Sequence, residues 1–274
     1  MSVMKRKTIA RDISWLSFNG RVLQEAADKS VPLRERVKFL GIFSNNLDEF
    51  FRVRVATLKR MADVGLKVRN MHLEISPDKI LDQIQEIVLR QQEEFGTVWE
   101  SIRRELQNDN IFLVTEKKLS KEQQKFVQNF FEEEVRSNII PLMIESIPAF
   151  PYLRDKSVYL GVVMSKRNDK TQKAYSIIEV PSRTLGRFIK LPSPEGQHHI
   201  ILLEDVIRYN LRSIFSYFGF TSYQSWIFKV TKDAEIDMDT DISTSLIQKI
   251  EKGVRNRRKG KTVRFVYDQQ MDKG

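Results

Sequence analysis

Residues 38–60, KFLGIFSNNLDEFFRVRVATLKR from Lys38 to Arg60, decide how the first part of this chain folds. Val37, Leu40 and Phe43, then Leu47, Phe51, Val55 and Leu58, recur at spacings of three and four, the repeat of an apolar helical stripe. The paired amides Asn45 and Asn46 divide the stripe. The reading is therefore one helix ending near Asn45, a short polar step, and a second helix starting at Asp48. Asn46 followed three residues on by Glu49 has the form of a capping box. Two roles are open for Asn46. As a cap it starts the new helix, and aspartate would serve equally well. As a ligand it offers an amide that both donates and accepts, able to read a base edge, while Arg52, Arg54, Lys59 and Arg60 follow with charge suited to phosphate.

Upstream, Asp12 or Ser14 is placed to cap a helix carrying Trp15, Leu16, Val22, Leu23 and Ala26, and Pro32 suits the first turn of the next helix. Downstream, residues 66–75 form a polar connection holding His72. Ser76-Pro77 then opens a long helix through Ile84, Val88, Phe95, Val98 and Ile102, stopped by Asn108-Asp109-Asn110. Four helices that bury one another's stripes predict an antiparallel bundle over residues 1–107. Trp15 and Trp99 lie on the periodic faces, which makes them core rather than a platform for stacking bases.

After Asn110 the pattern changes. Ile111–Val114, Val158–Met164, Ala174–Val180, Arg187–Leu191, Ile200–Leu203, Trp226–Val230 and Thr262–Tyr267 read as strands, with a polar hairpin tip at Lys166–Lys170. Between them, Ser120 with Gln123 forms a capping box for a helix through Phe126, Val127, Phe130, Phe131 and Val135. Further helices are expected over Glu204–Phe218 and after Asp241. The fold class is thus α+β: a helical N-terminal domain over 1–107, then a mixed α/β domain over 108–274. His198 and His199, adjacent on a strand, point to opposite faces and cannot share one ion, so both are expected at the surface.

Composition bounds the chemistry. The 274 residues carry a formal net charge of +10, with 30% charged and 41% hydrophobic residues, as in a globular protein suited to a polyanionic partner. Nucleic acid, a phosphorylated ligand and an anionic membrane surface are all compatible with that charge. The run from Lys249 to Arg264 holds eight Lys or Arg against one acid, Glu251. There is no cysteine, which excludes disulfides and thiolate metal sites. No P-loop, GxGxxG or HExxH occurs, no catalytic residue or metal ligand is assigned, and the N-terminus lacks a secretory apolar core. Asp48 and Glu49 complement a helix dipole better than they serve as an acid–base pair.

The segment ISWLSFNGRVLQEAADKSVPLRERVKFLGIFSNNLDEFFRVRVATLKR resembles the N-terminal domain of the long, histidine-phosphorylating class of bacterial polyphosphate kinases. Ile139-Ile140-Pro141-Leu142, VTKDAEIDMD at 230–239 and RNRRKGKTVRFVY at 255–267 agree in register; Lys232 stands where arginine is expected. The resemblance implies reversible transfer of the terminal phosphate of ATP to polyphosphate, with magnesium as cofactor. It places Asn46 at the ATP site near the base, makes Arg54 a candidate polyphosphate contact, and implies a homo-oligomer assembled through the second, head domain. The phosphate-accepting histidine of the family lies in a C-terminal half that none of His72, His198 or His199 matches. The expectation is a cytoplasmic ATP- and polyphosphate-handling portion of such an enzyme, inactive alone and not binding nucleic acid, with peripheral membrane association compatible with its charge. The rival readings are a basic nucleic-acid-binding protein and a purely structural dimerisation module.

Overall fold

The computed structural model describes residues 10–63, 76–147, 150–166, 169–234 and 260–271. They divide between two compact units. One comprises Met1–Glu105 with Thr231–Arg264, the other Leu106–Val230 with Phe265–Gly274. The described residues 231–234 and 260–264, which the sequence places in the second domain, cluster with the helical unit.

In the first unit, α1 (Arg11–Ala27) packs along α2 (Leu33–Phe50). The chain then makes a π-helical turn (Phe51–Val55) and continues as α3 (Ala56–Asp63), so one unbroken rod runs from Leu33 to Asp63. The expected break at Asn45–Asn46 is absent. Both asparagines lie inside α2, neither caps anything, and among the described residues the bundle has three rods where four helices were expected. The wide turn shows instead at Ala56, whose N–H reaches back to the Phe51 carbonyl. It allows consecutive pairs, Phe50 with Phe51 and Val55 with Ala56, to be buried together. Asp12 is not a cap either; Ala10 occupies the cap position of α1 without a side-chain bond.

The long α4 (Pro77–Asn108) begins at Pro77 as its sequence requires. It meets α1 closely: a Cβ on Gly20 would stand 2.9 Å from Nε2 of Gln91, which itself donates to the Leu16 carbonyl at 2.9 Å. Arg36, almost fully buried, donates to the Ala26 carbonyl at the end of α1 and to Glu105 of α4 at 2.6 Å. Leu16, Leu23, Leu40, Phe43, Leu47 and Ile102 fill the space between the rods. After α4, Asn110 takes a positive φ of 58°, which asparagine tolerates better than most residues. His72 and the connection 66–75 lie outside the described residues, as does the helix expected after Asp241.

The second unit mixes helices with two sheets, which makes the whole α+β as expected. A three-stranded sheet has the order β1 (Ile111–Leu113), β6 (His198–Leu202), β5 (Phe188–Lys190); β1 is parallel to β6 and β5 antiparallel to it. A five-stranded sheet has the order β2 (Leu142–Met143), β4 (Asp169–Glu179), β3 (Val158–Lys166), β7 (Ser222–Lys232), β8 (Thr262–Tyr267). One face of β3 and β4, carrying Leu160, Val162, Met164 and Ile178, forms a core with Val127 of α5 (Lys121–Phe130) and Val206 of α7 (Leu203–Tyr209). The Ser120–Gln123 capping box is present at α5. The single helix expected over Glu204–Phe218 is instead α7, α8 (Leu211–Ile214) and a 3-10 turn at Ser216–Phe218. The aromatic rings of this unit mostly serve the core: Phe131 and Phe215 are buried, and Phe126 and Phe130 pack against it.

His199 corrects the surface assignment made for both histidines. It is half-buried and its ring is bonded on both sides, Nδ1 to Nε2 of Gln123 at 2.8 Å and Nε2 to Oε1 of Gln197 at 2.9 Å. Nε2 of Gln123 is a donor, so Nδ1 accepts and Nε2 carries the proton. His198, on the opposite face, is exposed as expected.

Candidate functional site

The features that sequence reasoning read as a ligand site lie along the rod formed by α2, the π turn and α3. Asn46 is half-buried in the crease between α1 and α2. Its Nδ2 donates to Oδ1 of Asn19 at 3.1 Å, and Nδ2 of Asn19 donates to the Phe43 carbonyl at 3.3 Å. Two amides in series thus tie the helices together. Asn45 is exposed. Asn19 carries no local signal of this role, because its partners stand a helix away; only its position among Leu16, Leu23 and Ala26 on the apolar face marks it.

Past Asn46 the rod presents alternating charge, and each basic side chain is held. Arg54 donates to both carboxylate oxygens of Asp12, at 2.8 and 3.2 Å, and this bidentate pair raises the guanidinium pKa. Asp12 occupies the Nε/Nη2 edge of Arg54, and the Nη1 edge binds no described residue. Arg52 lies 3.6 Å from Glu49, and its carbonyl accepts from the Ala234 N–H at 3.2 Å. Arg60 is paired with Asp233 and also donates to Thr57. Lys59 donates to the Val263 carbonyl at 3.0 Å. Arg264 donates to Asp48 at 3.0 Å and lies over the Phe51 ring, 4.8 Å from its centre. Burial pulls the Arg264 pKa down, while Asp48 opposes that shift.

Three stretches far apart in sequence therefore meet on one rod: the amide-and-arginine stretch itself, residues 231–234, and residues 260–264. Near Gly260 the approach is close, since a Cβ there would stand 2.8 Å from the Asp233 carbonyl. The Asp48 carboxylate, read from sequence as a helix-dipole partner, is instead the buried counter-charge of Arg264. Arg264 and Asp233 were not singled out as partners of the rod, because nothing local links them to it.

Among the described residues no group of three His, Asp or Glu side chains converges as a metal site, and no helix is long and apolar enough to cross a membrane. An apolar surface depression lined by Ile111, Phe188, Lys190, His198 and Ile200 lies on the three-stranded sheet.

Comparison with known proteins gives the class. Residues 8–114 match the polyphosphate kinase N-terminal domain and residues 122–274 the polyphosphate kinase middle domain, so the chain belongs to the polyphosphate kinase family. Particular relatives follow. The polyphosphate kinase of Vibrio parahaemolyticus is 39% identical over 267 residues, covering 96% of this chain and 38% of the relative. That of Escherichia coli strain K12 is 38% identical over 271 residues, with the same shares covered, 96% and 38%. The crystal structure of polyphosphate kinase from Porphyromonas gingivalis is similar with a TM-score of 0.76 at 30% identity, over 96% of this chain and 36% of that one. The chain thus spans between 36% and 38% of the length of these relatives.

Proposed function

We propose that these residues form the nucleotide side of an enzyme that reversibly transfers the terminal phosphate of ATP to polyphosphate, and that the phosphate-accepting histidine lies outside them. The observation that carries this reading is Asn46, the position where the family resemblance places ATP. It is a half-buried amide whose Oδ1 is taken by no described residue, followed on the same rod by Arg52, Arg54 and Arg60. Phosphoryl transfer is mostly positioning and neutralisation of charge, and needs few reactive groups from the protein. In this reading Asn46 holds the base, and the unpaired Nη1 edge of Arg54 contacts polyphosphate. Asp12 keeps that edge oriented. In this reading magnesium travels with the phosphates of ATP.

The same reading makes the protein cytoplasmic, with a basic surface compatible with peripheral contact to anionic membranes. It assembles as a homo-oligomer through the second unit, where Phe150, Tyr152, Tyr175, Phe265 and Tyr267 are exposed. Neither the nucleic-acid reading nor the purely structural one gains support from the family match. The test is Asn46→Ala in the full-length enzyme. Loss of one hydrogen bond to the base, about 0.5–1.5 kcal/mol, raises the KM for ATP roughly two- to twelvefold, with the KM for polyphosphate unchanged. An unaltered KM for ATP would overturn the assignment.

A further inference from the structure

We infer that Asn19 is a positioning residue that fixes which way round Asn46 presents its amide, and so sets the nucleotide site to read adenine rather than guanine. The inference rests on the nucleotide reading of Asn46. Asn19 is completely buried on the inner face of α1, among side chains where leucine would pack well. A polar group is costly there unless its bonds are used. Its Nδ2 donates to the Phe43 carbonyl, and a backbone carbonyl can only accept. The Asn19 amide therefore cannot turn over without breaking that bond and setting its oxygen against another oxygen. Its Oδ1 is thereby held toward Asn46, 3.1 Å from Nδ2.

What Asn19 accepts, Asn46 must donate. Turning the Asn46 amide over would bring two carbonyl oxygens together inside the crease. The amide of Asn46 is thus locked, with one N–H spent inward. Its Oδ1 and second N–H remain for a ligand, an acceptor beside a donor. The N7 edge of adenine offers the matching pattern, the N6 amino donor beside the N7 acceptor, whereas the same edge of guanine carries two acceptors, O6 and N7. Guanine would set its O6 against the Oδ1 that Asn19 holds in place. The discrimination therefore lies in a residue that touches no nucleotide.

The experiment uses the full-length enzyme with Asn19→Leu, the milder Asn19→Ser and Asn46→Ala. It measures kcat/KM with ATP and with GTP. Their ratio does not depend on how much of a variant is folded, so instability cannot mask the answer. Asn19→Leu is expected to lower the ATP-to-GTP ratio about tenfold, as when a site loses a fixed hydrogen-bond pattern. The change is expected in KM for the nucleotide, with kcat and the KM for polyphosphate held, and Asn19→Ser is expected to show a smaller fall. If Asn46→Ala lowers the ratio while both Asn19 variants leave it at the wild-type value, the positioning role is wrong and the nucleotide reading stands. If Asn46→Ala changes neither the ratio nor the KM for ATP, the nucleotide reading falls and the inference falls with it.

Discussion

An amide inside a helix is judged by its partners, and Asn46 has one that aspartate cannot keep. Were it a cap, Asn46→Asp would preserve stability. In the structure its Nδ2 donates to the buried Oδ1 of Asn19, so a carboxylate would face another oxygen where a donor stood. Asn46→Asp is therefore expected to cost about 1–3 kcal/mol in urea unfolding, and more than Asn46→Ala, because it adds repulsion to the lost bond. Equal stability of the aspartate variant and the wild type would restore the cap. The apolar positions Leu40, Phe43 and Leu47 were legible because their spacing is local, and all three are buried. The partners of the polar residues were not legible. Asn19 for Asn46, Asp12 for Arg54 and Arg264 for Asp48 are chosen by packing between distant segments, which periodicity does not encode.

At the scale of the element, the same polar step that resembled a helix boundary lies within a continuous rod. Asparagine and glutamate at cap spacing do not break a helix when tertiary contacts hold the backbone on both sides, and the α1–α2 crease does so here. The π turn had no sequence signature, since one extra residue in a turn changes neither composition nor polarity. By contrast the start of α4 at Pro77 and the capping box of α5 were legible, because proline geometry and paired side-chain bonds act within a few residues. The α1–α4 contact yields a further expectation. Gly20→Ala gains roughly 1 kcal/mol of helix propensity, yet its Cβ displaces the Gln91 amide and breaks the bond to Leu16, worth about the same. The net change in unfolding free energy should lie within about 1 kcal/mol of zero. In a Gln91→Ala background, where nothing is displaced, Gly20→Ala should be clearly stabilising. Strong destabilisation in both backgrounds would show that the backbones themselves, and not the amide, set the approach.

Over the whole molecule, the α+β class and most strands followed from composition and period, while the grouping of distant segments into units did not. One titration should be visible globally. Asp205 on α7 is buried, and that burial pushes its pKa up to about 6, with Glu116 and Glu204 reinforcing the shift against Arg208. A folded pKa above the unfolded value means that the stabilising contribution is complete below the ordinary carboxylate pKa and is lost as pH rises through about 6. The ionised group then costs on the order of 3 kcal/mol. Asp205→Asn should flatten the pH dependence of stability and raise the melting temperature at pH 8 but not at pH 4. Arg208 retains Glu116, 3.6 Å away, as a counter-charge. A variant with the wild-type pH profile would show that Asp205 is solvated. The return of Thr231–Arg264 to the helical unit has a consequence for synthesis. A ribosome delivers the N-terminal helices first, but Asp48 waits for Arg264 and Arg60 for Asp233 until some two hundred further residues have been made. Until then the nascent bundle lacks the Arg264 contacts to the Asp48 carboxylate and the Phe51 ring, so the first helices translated complete their unit only near the end of these residues.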